Sequence, residues 1–153
     1  MRAPFTQRYL HCVWATWDRE PLLTAPIEQP VYAFILAKTR ALRCVPIAVG
    51  GTESHVHLLV RWSSTVSIAE FLGDVKGSSS HFVTHQHLPG AFFKWQGSYG
   101  AFTVSRDHVE VVRHYIEQQK QHHAMQTVVA EWEQTTSEPS DAAEPDESDE
   151  PGA

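Results

Sequence analysis

The sequence predicts an α+β domain in which an antiparallel sheet carries helices on one face. Of the 153 residues, 42% are hydrophobic and five are Trp, which is enough to bury a core and excludes a wholly disordered chain. Strand-like and helix-like segments follow one another in the order β-α-β-β-α-β-(β)-α. This order is typical of antiparallel strands packed under helices in a two-layer domain.

Composition and capping residues predict the first strand and the first helix. Residues 7–17 are rich in aromatic and β-preferring side chains, which indicates a strand. Thr24 and Pro26 are typical of a helix start, and apolar residues at helical spacing predict a helix over residues 26–43. Because Pro30 lies inside this segment, we expect a late start or a bend.

A hairpin and a second helix are predicted next. Residues 45–49 and 55–62 have the composition of two strands, with Gly50-Gly51 as the turn between them. Ser67 then opens an amphipathic helix. This helix meets the small residues 77–80, where we expect a break before it resumes.

The last elements are two short strands and a long helix. Residues 91–95 and 99–104 are predicted strands that flank a Gln-Gly turn. Ser105 or Asp107 then caps a helix that we expect to continue to about residue 130.

The charge distribution divides the chain into a domain over residues 1–130 and an acidic tail over residues 131–153. The tail has nine acidic residues and no Lys or Arg, whereas the domain has 12 Lys and Arg, nine Asp and Glu, and all ten His. We expect the tail to be disordered, because it has almost nothing to bury. Two Cys and no apolar run long enough for a membrane helix favour a cytoplasmic protein without membrane attachment.

His55-Val56-His57 is the first candidate for chemistry. Side chains alternate along a strand, so His55 and His57 lie on one face, close enough to share a divalent metal. Two half-exposed histidines on an ordinary strand would give the same pattern. The motif alone does not decide between these interpretations.

The second candidate lies on the last helix. Tyr115 and Gln119 are four residues apart, so they share one side of that helix, at the edge of the stripe formed by Val109, Val112 and Ile116. Such a face could present a phenol and an amide oxygen to the sheet. The alternative is a core-edge Tyr beside a solvated Gln.

Five segments in the same order resemble the single-tyrosine HUH transposases of small bacterial insertion sequences, which include the REP-associated tyrosine transposases. The segments are residues 9–22, 53–60, 71–80, 95–105 and 115–123. The resemblance covers roughly residues 6–125 and implies a ferredoxin- or RRM-like HUH fold. Relaxases place the Tyr before the histidine pair, and replication initiators place a Lys three residues after the Tyr. Here the Tyr follows the pair and Gln118 occupies the Lys position, so the transposase group fits better.

The resemblance implies a role for each candidate residue. His55, His57 and Gln119 would bind a divalent metal, Mg²⁺ or Mn²⁺, and Tyr115 would be the nucleophile that forms a 5′-phosphotyrosine on single-stranded DNA. The implied partners are a DNA hairpin and a second copy of the chain, in the cytoplasm at the nucleoid. A phenol with a pKa near 10 is a poor nucleophile, so a metal on the phosphate suits this chemistry.

Single-stranded DNA requires cations for phosphates and aromatic rings for bases. The candidate DNA contacts are Arg61, Lys76, Ser78, Ser79, Lys94, Arg106, Arg113 and His122. For the small residues around Ser78 a simple helix break is the alternative, and for Trp95 and Tyr99 a core position is favoured over base stacking.

Two other functions remain open from the sequence. The first is a domesticated or non-catalytic module of the same fold that binds single-stranded nucleic acid without cutting it. The second is a His-rich metal-binding protein unrelated to DNA, which would be insensitive to salt in its behaviour toward oligonucleotides.

Overall fold

The computed structural model describes residues 2–63 and 65–136. Within these residues, four strands form one sheet, and four α-helices accompany it. The strands are β1 (Tyr9–Ala15), β2 (Val45–Gly51), β3 (His55–Arg61) and β4 (Gly100–Val104), and the α-helices are α1 (Ala25–Ala41), α2 (Ile68–His81), α3 (Val109–Glu117) and α4 (Gln119–Ala124). Among them, no helix combines the length and apolar composition that crossing a membrane requires.

The strands form an antiparallel sheet in the order β2-β3-β1-β4. The predicted α+β class is therefore confirmed. In the central pair, Val13 lies opposite His57 and His11 lies opposite Leu59. The strand predicted over residues 91–95 is reduced to one isolated bridge between Thr16 and Trp95.

Helices cover both faces of the sheet, so the prediction that they lie on one face is wrong. One face packs under α1 and α2 in the larger apolar cluster, to which β1 and β3 contribute Leu10, Cys12, Trp14, Val56, Leu58 and Val60. On the other face, α3 lies across β2 and β3 in a smaller cluster of Ala48, Leu59, Val112, Tyr115 and Ile116. Because side chains alternate along a strand, His11, His55 and His57 share this second face.

The first helix begins before Pro30, so the predicted late start is wrong. Pro26 occupies its first turn, where a missing N–H costs nothing. Pro30 has no N–H to donate to the carbonyl of Pro26, four residues earlier. His87 Nε2 lies 2.7 Å from that oxygen and supplies the missing hydrogen bond.

The turn predicted at Gly50-Gly51 is also wrong, because both glycines belong to β2 and the turn follows them. A Cβ on Gly50 would lie 2.3 Å from the backbone oxygen of Ile116 in α3, and one on Gly51 would lie 2.1 Å from the oxygen of His55. These glycines are therefore required for close packing, and Gly50 sets how near α3 approaches the sheet.

The second helix starts where predicted, with Ser67 Oγ accepting a hydrogen bond from the N–H of Glu70 at 3.1 Å. The expected break at residues 77–80 is absent. Ser78 Oγ donates to Asp74 O at 2.5 Å, and Ser79 Oγ donates to Lys76 O at 3.1 Å. Hydroxyls that bond to the preceding turn can remain in a helix.

The last helix is shorter than predicted. The α3 helix ends at Glu117, α4 ends at Ala124, and the chain then turns at Gln126, whose φ is 56°. A left-handed residue just after a helix is a common helix stop. The returning chain forms a 3-10 turn at Ala130–Glu133, so the packed part extends past the predicted boundary at residue 130. The rest of the predicted tail, residues 137–153, lies outside the described residues.

Candidate metal centre and tyrosine

The two histidines of β3 form the base of the candidate site. His55 and His57 are 2% and 0% exposed, and their ring centroids are 5.0 Å apart. Strand alternation places both rings on the face that α3 crosses. Two half-exposed histidines on an ordinary strand are therefore excluded, and the pair requires polar partners inside the protein.

Those partners are oxygen atoms that meet at the Nε2 side of both rings. His55 Nε2 lies 3.0 Å from Gln119 Oε1 and 3.1 Å from Glu133 Oε2. His57 Nε2 lies 3.0 Å from the same Glu133 oxygen. The candidate ligand atoms of His55, His57 and Glu133 all lie within 4.8 Å of one another. Two imidazole nitrogens, an amide oxygen and a carboxylate oxygen form a donor set that fits a divalent metal.

The opposite ring nitrogens of the two histidines have partners deeper in the protein. His57 Nδ1 lies 2.7 Å from His11 Nε2, and His55 Nδ1 lies 2.8 Å from Thr52 Oγ1. Both Nδ1 atoms are therefore occupied, and both Nε2 atoms face the shared oxygens.

Tyr115 and Gln119 reach the same point from α3 and α4. Both side chains are buried, so a solvated Gln119 is excluded. Gln119 Nε2 donates to the backbone oxygen of Tyr115 at 3.3 Å, which leaves its Oε1 directed to His55. The Tyr115 hydroxyl donates to Glu133 Oε1 and accepts from the N–H of Val129 at 3.0 Å. The Tyr115 hydroxyl therefore lies beside the histidine pair of the same chain, with the Glu133 carboxylate between them.

The electrostatics of the site follow from burial and from Glu133. Burial and the hydrogen bond to Glu133 raise the pKa of Tyr115 to about 12. Burial alone would raise the pKa of Glu133, but hydrogen bonds with His55 and His57 outweigh it and lower that pKa. Burial lowers the pKa of His57, and Glu133 only partly opposes this. At neutral pH the site therefore combines a neutral phenol with a carboxylate.

Glu133 is not among the predicted site residues, because it lies in the segment predicted as the acidic tail. Trp132 holds this segment at the site, since its ring packs edge-on against Tyr115 of α3, with centroids 5.0 Å apart, and against His11 of β1, with centroids 5.8 Å apart. His123 is a second missed neighbour, with Nε2 3.2 Å from Gln119 Oε1. The sequence feature that indicates packing of this segment is Trp132, a large apolar residue between two acidic residues at the start of a segment that is otherwise poor in apolar residues.

Two of the predicted DNA contacts have their partners inside the protein. Lys76 donates from Nζ to the backbone oxygens of Gln96 at 2.6 Å and Ser98 at 3.1 Å. Ser79 is fully buried, and its Oγ accepts from Trp95 Nε1 at 2.9 Å. Their prediction as phosphate contacts is corrected, because both hold the 95–98 loop against α2. Trp95 lies in the core, as favoured.

The other predicted DNA contacts lie nearer the surface. Arg61, Lys94, Arg106 and Arg113 are exposed, and Ser78 and His122 are half-buried. Lys94 Nζ lies 3.9 Å above the Trp17 ring. Arg113 pairs with Glu117 at 3.1 Å, and His122 packs on the Tyr115 ring with centroids 4.7 Å apart.

Comparison with known proteins decides the family. The family model "Transposase IS200 like" matches residues 4–119, most of the chain. The chain belongs to this family. No curated protein matches the transposase. The predicted resemblance to single-tyrosine HUH transposases is thereby confirmed.

Solved structures share the fold of this IS200-like transposase. A protein assigned as a transposase from Deinococcus radiodurans R1 is 24% identical, with a TM-score of 0.59 over 78% of this chain and 95% of its own. A REP-associated tyrosine transposase bound to a REP hairpin is 12% identical, with a TM-score of 0.56 over 84% of this chain and 74% of its own. At these identities the likeness concerns the fold.

Proposed function

We propose that this transposase cuts and rejoins single-stranded DNA through a covalent bond between Tyr115 and a 5′ phosphate. One observation carries the proposal. The two oxygens of a single carboxylate, on Glu133, contact the Tyr115 hydroxyl on one side and the Nε2 atoms of His55 and His57 on the other. The phenol therefore lies one carboxylate away from the candidate ligands, close enough to reach a phosphate bound beside Glu133.

The proposed metal ligands are Nε2 of His55, Nε2 of His57 and Oε1 of Gln119, with Glu133 as a fourth. Mg²⁺ and Mn²⁺ accept six ligands, so four from the protein leave positions for water or phosphate oxygens. When bound, the cation neutralises charge on the phosphate and polarises the phosphorus. The chain's own role is to hold four donors and one phenol in a fixed arrangement.

The proposed reaction exchanges one phosphodiester for another. The Tyr115 oxygen forms a bond to phosphorus, the bond from phosphorus to the 3′ oxygen breaks, and the departing oxygen becomes a 3′ hydroxyl. Glu133 Oε1 already accepts the phenol hydrogen bond, so it is the proposed route by which the phenol proton leaves. The proton passes on to water, and the departing 3′ oxygen takes up a proton from water. The ester energy is retained in the phosphotyrosine, so a second 3′ hydroxyl can reverse the step without another energy source.

The proposed substrate is a single strand that carries a hairpin, and the proposed assembly is a homodimer acting at the nucleoid in the cytoplasm. The hairpin is supported by the neighbour solved with a REP hairpin, and the exposed cations Arg61, Lys94 and Arg106 are available for phosphates. Because Tyr115 and the histidine pair meet within one chain, the catalytic groups do not need the second copy.

The test is a covalent adduct on a hairpin-bearing single strand, resolved on a denaturing gel. We expect the adduct with Mn²⁺ or Mg²⁺ and its loss with EDTA. Tyr115→Phe should abolish it and keep DNA binding, whereas Tyr99→Phe is the matched control and should leave it unchanged. An adduct that persists in Tyr115→Phe would show that another residue is the nucleophile.

A non-catalytic DNA-binding module is the second candidate, and one observation favours it. Glu133 already bonds the Tyr115 hydroxyl and both histidines, and burial together with this hydrogen bond keeps the phenol neutral. Tight binding of hairpin DNA without a metal-dependent cut in any single strand would establish this alternative.

A further inference from the structure

His11 is a buried polar residue that the proposed reaction does not use directly. It lies on β1, on the same face as the histidine pair, and it is fully buried. Its Nε2 atom is 2.7 Å from Nδ1 of His57. Its Nδ1 atom has no hydrogen-bond partner among the described residues.

The surroundings of His11 would suit an apolar ring. Its neighbours are the rings of Phe102 and Trp132, each with a centroid 5.8 Å away, and His57 at 5.0 Å. A buried nitrogen without a partner is unfavourable, and each such group requires an explanation. Packing therefore does not explain why this position holds an imidazole.

The bond to His57 supplies the explanation. An imidazole that binds a metal through Nε2 carries its hydrogen on Nδ1, and that hydrogen needs an acceptor. In this fold Nδ1 of His57 points into the protein, where His11 Nε2 is its partner. Thr52 Oγ1 is placed in the same way on Nδ1 of His55, at 2.8 Å.

An imidazole at position 11 can serve His57 with and without a metal. Without one, Nε2 of His57 faces Glu133 at 3.0 Å, so its hydrogen can lie there while His11 donates to Nδ1. With one, the hydrogen of His57 lies on Nδ1 and His11 accepts. The same bond is kept with its direction reversed, which an aromatic hydrocarbon ring cannot do.

We propose that His11 is a positioning residue of the metal centre, which holds the ring of His57 in the orientation and tautomer that direct Nε2 at the cation. This inference rests on the proposed metal site. It adds a residue of β1 to a centre built from β3, α3, α4 and the 130–133 turn.

The experiment measures Mn²⁺ affinity by the EPR signal of free Mn²⁺, together with the melting temperature of the metal-free protein. The variants are His11→Phe, which keeps a ring of similar size without an acceptor, and His11→Gln, whose amide can accept or donate. We expect His11→Phe to bind Mn²⁺ about 10- to 100-fold more weakly. Its melting temperature should stay within about 4 °C of wild type. The substitution removes the unpartnered Nδ1 of His11 and leaves Nδ1 of His57 without its partner, so the number of unpartnered buried nitrogens stays the same. His11→Gln should bind more tightly than His11→Phe.

Any one of the following results would overturn the inference. Wild-type Mn²⁺ affinity in His11→Phe would show that His57 needs no partner. A melting temperature lowered in step with affinity, and not improved in His11→Gln, would show a merely structural role. His57→Ala separates the two levels: if wild type binds Mn²⁺ no better than this variant, the proposed metal site itself fails, and His11 with it.

Discussion

Neighbouring residues of the same strands have opposite roles on the two faces of the sheet. On β3, Leu58 packs into the apolar cluster under α1 and α2, while the adjacent His57 faces Glu133. On β1, Cys12 joins the same apolar cluster, while the adjacent His11 binds His57. The apolar face is built for stability, and the histidine face holds buried polar groups that cost stability.

This division explains how a small domain tolerates such a site. Burial of apolar side chains under α1 and α2 stabilises the fold. This stabilisation offsets the cost of burying three imidazoles and an amide, and of half-burying the Glu133 carboxylate, on the other face. If the division is real, stability and metal binding should respond separately to substitutions on the two faces.

The largest expected contrast is between adjacent residues of β3. Leu58→Ala should lower the free energy of unfolding by about 2–5 kcal/mol, since it opens a cavity in the core, and should leave Mn²⁺ affinity unchanged. His57→Leu should change that free energy by less than about 2 kcal/mol and remove Mn²⁺ binding. Urea unfolding and Mn²⁺ titration of both proteins measure the contrast, and equal losses of stability would contradict it.

A pair of glycines tests how closely the histidine face is packed. Gly50→Ala should lower the free energy of unfolding by about 1–3 kcal/mol, since the added Cβ would meet the backbone of Ile116 and push α3 from the sheet. Gly73→Ala is the control, because nothing lies within 4 Å of its Cβ. This change in α2 should raise that free energy by about 0.5–1 kcal/mol. Urea midpoints compare the two, and a Gly50→Ala protein as stable as wild type would disprove the close contact.

Glu133 should give the histidine face an acid sensitivity. Its pKa is lowered from 4.5 in the folded protein, so its contribution to stability is complete above that pH and is lost as the pH falls further. In EDTA, Glu133→Gln should therefore lose less stability than wild type on acidification below pH 4.5. Identical pH profiles in urea unfolding would show that the carboxylate makes no stabilising bond there.

The smallest effect is expected on the apolar face at alkaline pH. Burial raises the pKa of the Cys12 thiol from 9.0 to about 12. Its contribution to stability is present below pH 9.0 and is lost as the pH rises toward 12. Between pH 8 and 10, wild type should lose slightly more stability than Cys12→Val; a steeper loss in the variant would contradict the burial of this thiol.

The periodicity of strands and helices was sufficient to predict which candidate site residues lie side by side. Alternation in β3 placed His55 and His57 together, and helical spacing placed Tyr115 above Gln119. The resemblance supplied their proposed roles. The histidine pair depends only on the geometry of one strand. Tyr115 and Gln119 lie in two helices separated by Gln118, and they stay neighbours because Gln119 Nε2 donates to the backbone oxygen of Tyr115 across that break.

Other features depend on contacts between distant segments. Gly50-Gly51 has the composition of a turn, but the close approach of α3 is what requires it. Lys76 looks like a free cation, yet its ammonium is used by the 95–98 loop. Glu133 lies in a run of acids, and its place at the site depends on the chain reversal at Gln126.

The most direct test of the proposed chemistry is to locate the covalent bond. The protein is incubated with Mn²⁺ and a hairpin-bearing single strand, digested with protease and nuclease, and sequenced by mass spectrometry. We expect a nucleotide attached through its 5′ phosphate to the phenol of Tyr115, absent when EDTA replaces the metal. A nucleotide on any other side chain, or cut DNA with no modified peptide, would contradict the assignment of Tyr115 as the nucleophile.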